Sequence, residues 1–110
     1  MQLKTGASIK EVKWQMFAAA IAVERVLNKY GYDCIITSGT DGAHGDGPSI
    51  PGKADGTLHD DGLALDFRSK HIPVPERAPL AREIKAELGD GYDVVNETKP
   101  PHFHIEWDPK

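Results

Sequence analysis

The pattern of this chain predicts an α+β domain, with two helices packed on a small, mainly antiparallel sheet. Three observations carry that expectation. Apolar residues near the N-terminus recur every three or four positions over a long stretch. Residues 63–68 and 102–107 alternate apolar and polar side chains, and a second, shorter helical stripe lies between them. The elements read α-β-β-α-β-β. At 110 residues, 39% hydrophobic and 27% charged, the chain has the size and composition of a single domain covering 1–110, with a modest core.

The first helix is expected from a capping box, in which the Ser8 hydroxyl accepts from the Glu11 amide and the Glu11 carboxylate reaches back. Val12, Met16, Ala19, Ala20, Val23, Leu27 and Tyr30 form its buried face, and Gly31 is placed to stop it. Some 22 residues at about 1.5 Å each predict a helix about 33 Å long. A short strand over 33–38 follows, rich in β-formers. Residues 39–57 hold six glycines and two prolines, so they predict a long loop rather than a regular element. In 63–68, Leu63, Leu65 and Phe67 point one way and Ala64, Asp66 and Arg68 the other. The second helix is expected to start near 75–79, bury Leu80, Ile84 and Leu88, and stop at Gly89. Strand 92–97 places Asp93, Val95 and Glu97 on one face. After a turn at 99–101, Phe103, Ile105 and Trp107 pack while His102, His104 and Glu106 share the opposite face.

The formal net charge is -4 and the thirteen basic residues are scattered, so no basic stripe marks a nucleic-acid partner. Cys34 stands alone, which excludes an intrachain disulfide. The opening Met-Gln-Leu-Lys-Thr-Gly has no apolar signal region and no segment approaches membrane-spanning length. The expectation is synthesis in the cytoplasm without membrane insertion.

Imidazoles and a carboxylate brought together from separate elements suit a hydrolytic zinc ion, with one coordination position left for water. His59 at the end of the loop, Asp66 in one strand and His104 in another are the expected ligands, with Gly62 allowing the tight turn between the first two. Glu97, on a strand face just before the turn into His102, is the candidate general base. His102 is free to stabilise an oxyanion. Arg68, on the face of Asp66, either clamps a substrate carboxylate or orients the Asp66 carboxylate. His44 is a substrate contact or a plain loop residue.

These residues also carry a family resemblance. Thr57-Leu-His59-Asp-Asp-Gly62-Leu-Ala64-Leu-Asp66 resembles the Ser-x-His-x-x-Gly-x-Ala-x-Asp motif of the zinc D-Ala-D-Ala carboxypeptidase and L-alanyl-D-glutamate endopeptidase family, and His102-Phe-His104 resembles its closing His-x-His. The same fold and metal set occur in the hedgehog signalling domain. Residues 36–42, His44 and 105–109 look most like small members encoded by tailed bacteriophages. The resemblance implies a hedgehog-like metallopeptidase fold and a Zn2+ cofactor held by His59, Asp66 and His104. It also implies Glu97 as base and His102 as transition-state stabiliser. The implied substrate is a peptidoglycan peptide containing D-amino acids, reached in the periplasm or cell wall after phage-assisted release. Thr57 replaces the motif serine, and Thr40 and Asp41 stand where many members carry a carboxylate-binding arginine. Glu97 lies five residues before His102, a longer spacing than the resemblance implies. The alternative is a zinc-stabilised, non-catalytic binding domain of the same fold.

Overall fold

A computed structural model describes residues 1–10, 12–39 and 62–109. The elements are β1 (Gln2–Leu3), α1 (Trp14–Lys29), β2 (Ile35–Ser38), β3 (Ala64–Arg68), α2 (Val74–Leu88), β4 (Tyr92–Thr98) and β5 (Pro101–Trp107). The strands form a five-stranded sheet in the order β1-β2-β3-β5-β4. Among the described residues only the β1/β2 pair is parallel, and the other three pairs are antiparallel. The expected α+β class is therefore observed.

One strand was not expected. Gln2 and Leu3 show no strand pattern of their own, being two exposed residues. They pair because the Gln2 amide donates to the Cys34 carbonyl and the Lys4 amide to the Ile36 carbonyl, both at 2.9 Å. This order comes from a tertiary edge, which local sequence does not report.

Helix α1 is shorter than expected. It begins at Trp14 after Lys13, whose extended backbone (ψ 157°) carries no side-chain cap. The Ser8 hydroxyl accepts from the Lys10 amide at 3.2 Å, and the expected Ser8–Glu11 capping box lies outside the described residues through Glu11. The Lys13 amide donates to the Gly62 carbonyl at 2.9 Å, so this approach segment is tied to the chain entering β3. The helix therefore starts at Trp14, later than the expected position near Ser8. The buried stripe is as expected from Val12 to Leu27, whereas Tyr30 is exposed. Tyr30 sits at the C-cap and its hydroxyl donates to Glu83 of α2 at 2.5 Å.

Helix α2 follows the expected stripe through Leu80 and Ile84, with Leu88 partly buried against the core and Gly89 (φ 85°) at its end. Both helices cover one face of the sheet. Met16, Val23 and Leu27 from α1 and Leu80 and Ile84 from α2 share one core with Leu65, Phe67, Phe103 and Ile105. Phe67 and Phe103 are direct cross-strand partners and fully buried. Burial of this kind stabilises by roughly 1.5–3 kcal/mol per large apolar side chain. It also fixes the register, since a one-residue slip would turn both phenylalanines out of the core. Among the described residues no helix is long and apolar enough to cross a membrane.

Candidate functional site

With Phe67, Phe103 and Ile105 held in the core, the alternate residues of β3, β5 and β4 must share the opposite face. Register arranges them in three rows. Ala64, Glu106 and Asp93 form one, Asp66, His104 and Val95 the next, and Arg68, His102 and Glu97 the third. Neighbouring strands stand about 4.8 Å apart. Asp66 and His104, 38 positions apart in sequence, thereby become direct neighbours on adjacent strands.

The distances centre on the Asp66 carboxylate. Its Oδ1 lies 2.8 Å from His104 Nδ1 and 3.7 Å from His102 Nε2. Each imidazole has its other nitrogen held by the protein: His104 Nε2 lies 2.7 Å from Glu106 Oε1, and His102 Nδ1 lies 2.7 Å from the Pro100 carbonyl. The side chains of Asp66, His102, His104 and Glu106 retain only 11–19% of their exposure. Behind Asp66, the Thr37 hydroxyl of β2 donates to its backbone carbonyl at 3.4 Å.

Burial by itself lowers the His104 pKa, because charge is poorly solvated there. The hydrogen bonds to Asp66 and Glu106 and the charges of those two carboxylates outweigh that loss and push it up to about 9. In this arrangement the ring is an imidazolium donating to a carboxylate on each side. A metal ion needs a ring nitrogen with a free lone pair, so its uptake here would displace a proton. The donor set fits that exchange: an imidazole nitrogen and a carboxylate oxygen from adjacent rigid strands are both zinc ligand types.

Asp66, His102 and His104 are thus brought together as the alternation indicated. Arg68 is the direct cross-strand partner of His102. Glu97 is the partner of His102 on the other side, exposed on edge strand β4. It lies in the row next to Asp66 and His104, not in theirs. His59 and His44 fall outside the described residues.

Sequence reasoning assigned no role to Glu106, although alternation put it on this face. It also missed a group of Asp93, Glu106 and Asp108, each of which offers one carboxylate oxygen within 4.8 Å of the others'. These three half-buried acids could hold a metal ion, and an all-oxygen set suits a hard cation better than zinc. A pocket of about 520 Å³ lined by Lys85, Asp90, Gly91, Asp93 and Pro109 adjoins them through Asp93. Glu106 belongs to both clusters.

No family model matches the chain, and no curated protein matches it.

Proposed function

We propose that this chain is a zinc-dependent peptidase that hydrolyses stem-peptide bonds of peptidoglycan, of the D-Ala-D-Ala carboxypeptidase or L-Ala-D-Glu endopeptidase type. The observation that carries the reading is the 2.8 Å approach of Asp66 and His104 on adjacent central strands, with His102 in the next row. The motif resemblance adds His59 as the third ligand and directs the reading toward a phage-type enzyme acting in the cell wall.

Zinc, held by these residues, would supply a positive charge that polarises the peptide carbonyl and lowers the pKa of a bound water to about 7. The chain's own groups do the remaining work. Glu97 takes the proton from the attacking water and returns it to the leaving amine. His102 donates to the oxyanion of the tetrahedral intermediate. Because His102 Nδ1 is engaged by the Pro100 carbonyl, Nε2 is the nitrogen that faces the oxyanion. Arg68, beside His102, is placed to bind a substrate carboxylate.

The test is digestion of purified muropeptides by the zinc-loaded protein and by Glu97→Ala. An exposed strand residue can be truncated without disturbing the core, so the variant is expected to fold and keep its zinc. Loss of a general base costs on the order of 10²–10⁴-fold in turnover. A second reading, a zinc-stabilised domain that recognises without cleaving, draws on the exposed position of Glu97 at the sheet edge. Intact muropeptides with zinc-loaded parent protein would select it.

A further inference from the structure

A histidine binds a metal through whichever ring nitrogen lacks a proton, and the hydrogen bond made by the other nitrogen decides which one that is. His104 has two carboxylates to choose between. Asp66 approaches Nδ1 from β3, where the cross-strand register makes the two residues direct partners. Glu106 approaches Nε2 from two residues further along β5 itself, at 2.7 Å. Two residues apart on one strand means the same face, so Glu106 reaches the imidazole from its own strand and turns with it. Both groups are largely buried, with 11% and 15% of their side-chain surface exposed, which keeps water from replacing the contact.

We infer that Glu106 is the positioning residue of the metal site: its carboxylate holds the Nε2 proton of His104 and presents the Nδ1 lone pair toward Asp66. The inference rests on the zinc reading above and adds to it a residue outside the ligand set. His104 and Asp66 would hold the cation, with the Nε2–H of His104 still donating to Glu106. Glu106 then fixes the ring's tautomer and plane without touching the ion.

Zinc affinity, measured on the full chain by competition with a chromophoric chelator, tests this. Glu106→Ala is expected to weaken zinc binding about 10–100-fold, the usual loss when the outer partner of a metal-bound histidine is removed. Glu106→Gln keeps an acceptor without the charge and is expected to fall between parent and alanine variant. Glu87→Gln, whose carboxylate pairs with Arg25 on the helical side, is expected to match the parent. Nitrogen-15 spectra of the zinc-loaded parent should show His104 protonated at Nε2 and not at Nδ1, with thermal unfolding recorded in parallel for each variant. Three results would overturn the inference while leaving zinc binding intact. They are an alanine variant with parental affinity, an equal loss in Glu87→Gln, and a loss in Glu106→Ala beyond about 1,000-fold, which would make Glu106 a ligand. If Glu106→Ala does not fold, Glu106→Gln decides, and parental affinity together with a mixed His104 tautomer overturns the inference. A parent chain that takes up no zinc overturns the underlying reading as well.

Discussion

Cys34 lies just before β2 with 3% of its surface exposed, and burial is the main reason its thiol pKa is pushed up to about 12. Only the thiolate is a good nucleophile, so the folded protein should resist alkylation near pH 8 and the unfolded chain should react. Linkage sets a sign for stability too. An unfolded thiol ionises near 9.0 and the folded one near 12, so its contribution is complete below about pH 9 and disappears as pH rises through about 12. Urea unfolding of parent and Cys34→Ala at neutral and alkaline pH measures this, and the variant should lose less stability on going alkaline. The residues proposed to hold zinc behave differently as sequence signals. Strict alternation put His102, His104 and Glu106 on one face, and the same rule put Asp66 on the outer side of its strand. The bond from Glu106 to His104 was not legible, because alternation assigns a face and says nothing about rotamers.

Among the elements, β5 and the turn entering β4 are locked by one aromatic contact. Trp107 packs edge-on against Tyr92, with ring centroids 4.9 Å apart, and its far edge occupies the space over Gly91. A Cβ at Gly91 would lie 2.2 Å from Trp107 Cζ3. Gly91→Ala should therefore destabilise by about 1–3 kcal/mol through overpacking, read as a lower urea midpoint, whereas alanine at exposed Ala-flanked positions of α2 should not. Pro79 works in the opposite direction. It sits inside α2 and removes one backbone hydrogen bond there, a defect that the burial of Leu80, Ala81 and Ile84 offsets. An interior proline costs a helix about 3 kcal/mol, and the looser unfolded chain of an alanine variant returns part of that. Pro79→Ala is accordingly expected to raise the unfolding midpoint. Helix α2 was legible because its stripe and its terminal glycine are local. The start of α1 and the existence of β1 were not, since Lys13 is held by Gly62 and Gln2 by Cys34, contacts that no window of sequence contains.

At the scale of the whole molecule, the helices cover one face of the sheet, and the other carries Asp66, Arg68, His102, His104 and Glu106 beside Ala64 and Val95. The core and the site therefore share strands but not faces. A ligand that binds only the folded chain adds stability by mass action, about 2.7 kcal/mol when present at 100 times its dissociation constant. Zinc should raise the melting temperature of the parent, and a chelator should reverse the rise. The buried apolar cluster joins both helices to the sheet, so the zinc-free chain is expected to melt cooperatively. The most direct test of the central claim is metal content per chain, measured by mass spectrometry after zinc loading and removal of free metal, for the parent and for His104→Ala. The expected result is about one zinc in the parent and little in the variant, since loss of one of the few ligands of such a site removes most of its affinity. A parent without zinc, or a variant that retains it in full, would contradict the assignment of Asp66 and His104 as a metal site.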